Sequence, residues 1–265
     1  MSVPLFLATW KANWKLLSVF CAVMIFYSLT IMYMYDPVMI DSMEAMLKLL
    51  PQELIKAFGY QLQVPTYVGF LASYFYGFLA VGFPTIFVSI VGYRLIGKMV
   101  DNGSMAYLLS TPNSRGRIVV TQALAFCLML IVLVLAILLS GFIFSEVQFP
   151  GELEVTKFLT INLALLLYLF AISSIAFLAS CLFNDGKNAV LFGTAFPVGF
   201  LILQMLTAQG DKLEVLKYFT LLTLYQPNDI IVAGYQPLPL FAMALIGLGC
   251  YGLSILIFKR RNLPI

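Results

Sequence analysis

The chain contains no histidine. Histidine is the commonest metal ligand and a frequent general base. Its absence removes most metalloenzyme sites and every Ser-His or Cys-His nucleophile arrangement. Charge is scarce too. Asp, Glu, Lys and Arg make up 10% of the 265 residues, against about 25% in a soluble domain. Cysteine is thin and scattered: Cys21, Cys127, Cys181 and Cys250 fall in four different apolar stretches and form no CxxC unit. They read as small buried hydrophobes, with no metal site implied. The net charge of +3 is too small and too dispersed for a surface that tracks nucleic-acid phosphates. A soluble enzyme, a disordered tail and a nucleic-acid binder are all excluded.

What the chain does have is apolar length. Hydrophobic residues make up 62% and the mean hydropathy is +0.99. A spanning helix needs about 20 apolar residues to cross a hydrocarbon core about 30 Å thick. Six stretches qualify: Leu16–Tyr35, Thr66–Tyr93, Ile118–Phe144, Phe158–Phe183, Ala189–Thr207 and Leu238–Phe258. None of them contains Asp, Glu, Lys or Arg. The expected fold class is therefore an all-α integral membrane protein with six transmembrane helices. No cleavable signal peptide is evident, because the first apolar stretch is too long and lacks a small-residue cleavage site. The second stretch is long enough to tilt or protrude, and Pro84 should kink it.

Lys and Arg set the expected orientation. With the N-terminus inside, the inner segments hold Lys11, Lys15, Arg94, Lys98, Arg115, Arg117, Lys187, Lys259, Arg260 and Arg261. The outer ones hold Lys48, Lys56, Lys157, Lys212 and Lys217. The positive-inside rule then places both termini in the cytoplasm.

The segments between spans differ in character. In residues 1–16, Phe6, Trp10 and Trp14 recur every four residues, with Lys11 and Lys15 beside them. This pattern fits a separate amphipathic helix in the headgroup layer, with Trp10, Trp14, Lys11 and Lys15 as anchors, or a plain extension of the first span with the same interfacial anchors. The inner segment 94–117 holds a turn at Asp101-Asn102-Gly103-Ser104, then Met105, Leu108 and Leu109 at helical spacing with Tyr107 nearby, and then Pro112. That is a helix of about two turns, too short to persist in water without docking. Its apolar face could dock on the membrane surface, on the bundle's own rim or on a soluble partner. Asn184-Asp185-Gly186-Lys187 is a tight polar turn, so the fourth and fifth spans are antiparallel neighbours. Ser173, Ala176 and Ser180 line one side of the fourth span and permit close helix approach. The outer segment 208–237 includes Tyr218–Gly234, too apolar for a free loop and split by Gln226-Pro227-Asn228-Asp229. It fits a re-entrant pair of short helices covered by protein, or an outer amphipathic helix on the surface. The first outer loop, around 41–60, is a candidate surface helix.

Two motif-like stretches do not meet the requirements of their motifs. Gly92–Met99 approaches the phosphate loop GxxxxGK[ST], but Met99 stands where the hydroxyl belongs and a membrane helix precedes it. Gly210-Asp211 lacks the earlier glycine of a GxGD motif, since residue 208 is Ala. The spans contain no ionisable residue to relay protons, which disfavours a proton-coupled carrier and a membrane-embedded enzyme. The energy for any transport then comes from outside the chain. A stand-alone carrier or channel, and a non-transporting scaffold or immunity protein, remain the alternatives.

Gly103-Ser104-Met105-Ala106-Tyr107-Leu108-Leu109-Ser110-Thr111-Pro112, followed by Ser114-Arg115, resembles the segment between spans two and three of type-2 ATP-binding-cassette exporter permeases. Tyr225–Asp229 and the terminal Phe258–Pro264 are similar to features of that family. The chain departs from it at Met105-Ala106, where the family often has Leu-Glu. The resemblance implies a single permease domain over residues 1–265, in a bacterial or archaeal plasma membrane. It also implies a second permease half, identical or not, and separate cytoplasmic ATPase subunits that hold the ATP and magnesium. This chain itself would carry no cofactor and no catalytic residue. Asp101, Gly103, Ser104, Met105, Tyr107, Leu108, Leu109, Thr111 and Arg115 would form the coupling segment on the ATPase, and the cargo would be a lipid, peptide, drug or polysaccharide. Membrane lipid is the remaining expected partner.

Overall fold

A computed structural model describes residues 1–36, 66–110, 113–207, 216, 218–233 and 237–261. The surface helix expected around 41–60, together with Thr111, Pro112 and residues 262–265, lies outside them. Among the described residues the secondary structure is helical, and six helices are long and apolar enough to cross a membrane. The chain is an all-α integral membrane protein.

Helix α1 runs unbroken over Val3–Tyr33. The separate headgroup-level helix expected over residues 1–16 is instead the first half of this helix. The reason is local: Pro4 sits in the first turn, where its missing N–H costs nothing, and no glycine or second proline interrupts the helix beyond it. The buried residues Leu5, Thr9, Asn13, Leu17, Met24, Ser28 and Met32 form a stripe in steps of four and seven. That stripe packs on the third span. Ser2 N–H donates to Thr121 Oγ1 at 2.9 Å, and Thr9 Oγ1 donates to Gln122 Oε1 at 3.0 Å.

The second span is a composite of α2 (Tyr67–Leu71), a π-helical turn (Ala72–Tyr76), α3 (Leu79–Gly92), a second π turn (Tyr93–Gly97) and α4 (Lys98–Asp101). It extends eight residues beyond the apolar run, because Arg94 to Asp101 continue the helix out of the hydrocarbon. Two stretches, 72–78 and 93–97, depart from α-helical hydrogen bonding, and Pro84 lies within α3. Short helix α5 (Ser104–Leu109) comes next. The third to fifth spans are α6 (Arg115–Gln148), α7 (Val155–Leu182) and α8 (Gly186–Thr207). A 3₁₀ turn (Leu221–Leu224) and α9 (Pro227–Ala233) precede the last span, α10 (Pro237–Arg260).

Helix α7 is the hub and packs on α3, α6, α8 and α10. Its small residues permit this. Ala176 Cβ lies where a side chain on Gly92 would begin, 2.9 Å away. Ser180 Oγ donates to the Gly92 carbonyl at 2.8 Å, and Ser173 bonds Tyr251 of α10 at 2.8 Å. The stripe thus serves two neighbours, α3 and α10. The outward faces of α1, α8 and α10 carry exposed Phe26, Leu191, Phe196, Phe241 and Leu248. Apolar side chains outside a bundle are stable in lipid and costly in water.

Overpacking the α3–α7 contact should be measurable. Gly92→Leu is expected to destabilise the detergent-purified chain by about 1–3 kcal/mol, read as a lowered thermal midpoint. Gly82→Leu, with nothing within 4 Å of its Cβ position, should leave the midpoint unchanged.

Candidate functional site

The candidate site is the 101–110 segment, at the end of the bundle that carries both described termini. Gly103 makes the turn, with φ +73°, a left-handed conformation that L side chains rarely adopt. Asn102 Oδ1 accepts the Ser104 N–H at 3.0 Å and the Ser104 hydroxyl at 2.7 Å. These bonds start α5 where the turn residues of the sequence signal a helix start.

The faces of α5 are unlike. Met105 is 2% exposed and belongs to the bundle core, whereas Tyr107 is 80% exposed. Leu108 and Leu109 are half-buried and pack against the core. The apolar side of this short helix therefore docks on the bundle's own rim, one of the three seats left open by the sequence.

Asp101 does not cap α5. Its carboxylate accepts the Gly186 N–H at 3.2 Å and the Tyr93 hydroxyl at 3.3 Å. Gly186 opens α8, so Asp101 sits on the positive end of a 22-residue helix. Asp185 Oδ1 accepts the Lys187 N–H at the same terminus, at 3.0 Å. The approach requires glycine, since a Cβ at Gly186 would lie 2.6 Å from the Asp101 carboxyl. One carboxylate thus fastens the 101–110 segment to the fifth span.

Arg115 lies apart from α5. Its guanidinium donates to the Arg261 carbonyl. Arg261 donates to the Cys181 carbonyl at 2.7 Å and to Asn184 Oδ1. A guanidinium here satisfies carbonyls that a helix end leaves unpaired. Burial lowers the Arg261 pKa from its ordinary value. The start of α6 and the ends of α7 and α10 are tied at this point, a junction that no motif in the sequence announces.

Of the expected anchors, Trp10 is half-buried and stacks on Phe6 with ring centroids 6.4 Å apart. Trp14, Lys11 and Lys15 are exposed. At the opposite end the 218–233 stretch folds inward: Tyr225, Asn228 and Ile231 are buried. Ser73 Oγ donates to Asn228 Oδ1 at 3.0 Å, and Tyr225 O–H donates to the Tyr76 carbonyl at 3.3 Å. Both partners lie in the first π turn. Ser73 and Tyr76 do not stand out in the sequence. The only signal for them is a polar atom within an apolar run facing another such stretch. Among the described residues no three His, Cys, Asp or Glu side chains gather as a metal site would require.

Loss of the Asp101 carboxylate should loosen the segment while the bundle persists. A hydrogen bond to a charged group contributes about 1.5–3 kcal/mol when shielded, and solvent at this exposed position reduces that to about 1 kcal/mol. Asp101→Ala is expected to speed amide exchange in 104–109 by roughly fivefold, with α3 and α7 unchanged by the same hydrogen-exchange measurement.

A family model described as "ABC-2 family transporter protein" matches residues 11–263. No curated protein and no solved structure matches the chain. The match covers nearly the whole length, spans included, and the chain belongs to the ABC-2 family of membrane transporter proteins.

Proposed function

We propose that the chain is one permease half of an ATP-driven exporter, with both termini in the cytoplasm and the 101–110 segment seated on a separate cassette-type ATPase. The observation that carries this reading is the two-sided setting of α5. One face is held by the bundle through Met105, and the other presents Tyr107 to solvent at 80% exposure. A helix of six residues cannot hold itself in water. Held on one side, it offers a rigid aromatic on the other, and tyrosine is among the residues that most often anchor interfaces.

Two further features support the reading. The apolar stretches of the spans contain no Asp, Glu, Lys, Arg or His, so the energy for transport comes from elsewhere. In the proposed arrangement ATP and magnesium bind the partner ATPase. The positive side chains also gather at the end that carries α5, including Lys98, Arg115, Lys187 and Arg260, in keeping with a cytoplasmic face. A second permease half meets this one in the membrane, and the cargo passes between the halves.

Tyr107→Asp tests the docking without touching the core. The variant should elute from gel filtration like the parent chain. Its association with the ATPase from the native membrane should fall by about 30-fold, the effect of losing a hot-spot contact of about 2 kcal/mol. Unchanged co-purification would overturn the docking at α5.

A further inference from the structure

A cleft of about 600 Å³ opens between the first turns of α1 and the 94–108 stretch. Ala8 and Ala12 supply its room, since both are small and exposed on α1. Leu5, Leu95 and Leu108 supply apolar wall. Its charge has one sign: Arg94 and Lys98 line it, and no Asp or Glu does. Among the described residues neither cation forms an ion pair. The acid nearest in sequence, Asp101, is engaged by Gly186 and Tyr93.

Asn13 lines the same cleft and is only 4% exposed. Its Nδ2 donates to the Thr9 carbonyl at 3.0 Å, and its Oδ1 is buried. The site therefore offers two cations beside apolar wall.

Its depth is set by α1. Thirty-one residues rise about 46 Å, well beyond the hydrocarbon thickness of about 30 Å. The cleft flanks the first third of this helix, beside Trp10 and Trp14, residue types that settle at headgroup level.

We infer that this cleft binds the headgroup of an anionic glycerophospholipid from the leaflet on the termini side, with its phosphodiester at Arg94 and Lys98. Phosphatidylglycerol carries that negative charge uncompensated. The ammonium groups of phosphatidylcholine and phosphatidylethanolamine meet two like charges. Basic pockets beside membrane helices take anionic headgroups on this physical ground. The bound lipid bridges α1 to α5 through Ser104 and Leu108. The site is built by the bundle alone, so it exists whether or not α5 seats on an ATPase.

Native mass spectrometry of the detergent-purified full chain, titrated with phosphatidylglycerol, phosphatidylethanolamine or phosphatidylcholine, tests the assignment. Phosphatidylglycerol should bind best. Arg94→Ala and Lys98→Ala should each weaken it about fivefold, and the double variant about 30-fold. Arg94→Lys should retain binding, which separates loss of charge from loss of fold. Lys187→Ala, a cation outside the cleft, should have no effect. Arg94 and Lys98 also border a groove of about 390 Å³ between α3 and α8. Ala12→Trp fills the first site and Val190→Trp the second, so only Ala12→Trp should abolish binding. Equal binding of phosphatidylcholine, or full binding by the double variant, overturns the inference. So does sensitivity to Val190→Trp instead of Ala12→Trp. Glycerol phosphate competing as well as the lipid would show a soluble-phosphate site instead.

Discussion

Inside the hydrocarbon of a membrane no water can pair with a peptide group, and the departure from plain helix at 72–78 is shaped by that constraint. The backbone loosens into a π turn at Ala72–Tyr76 and breaks at Gly77 and Phe78. Protein covers the place. Tyr225 donates to the Tyr76 carbonyl and Ser73 bonds Asn228, while the Tyr225 ring lies against Tyr168 of α7 at 5.4 Å. The Tyr225–Asn228 stretch and the π turn are complementary: polar groups of one pair with polar groups of the other. Wide turns of this kind often mark functional regions in helices.

The same constraint governs where helices end. The last carbonyls of α7 meet the Arg261 guanidinium, and the first N–H groups of α8 meet Asp101 and Asp185. Charge is used where the chain turns back, at the termini-side rim. These ties cross between elements far apart in sequence. Asp101 joins the second span to the fifth, and Arg115 joins the third to the end of the sixth. The 101–110 segment is thus fastened to α8 by its first residue and to the bundle core by Met105. A force on Tyr107 reaches several spans through few bonds.

Much of this is legible in order along the chain. Six apolar runs without a charge become six spans, because the hydrophobic thickness fixes the length of helix. The turn at Asn184–Lys187 and the inward fold of 218–233 are set by local polarity and length. The start of α5 at Asn102-Gly103-Ser104 is written in turn chemistry. Other features are not legible. The aromatic and lysine pattern of residues 1–16 suits an interfacial helix and the first half of a longer helix equally well, and only the buried stripe through Met32 decides for continuity. The bond from Arg115 to the Arg261 carbonyl is likewise not legible in the sequence.

By itself, then, the sequence determined that the chain lives in lipid, how many times it crosses, which end carries the positive charge and where the short docking helix starts. These depend on the transfer free energy of side chains and on local turn geometry, and both act over a few residues. The tertiary structure decided what each exposed or buried group meets: that Met105 is core and Tyr107 faces solvent, that Asp101 serves α8, and that Arg94, Lys98 and Asn13 share one cleft. Those pairings join residues up to 85 positions apart. No periodicity records such contacts, because they arise only when several helices pack on α7 at once.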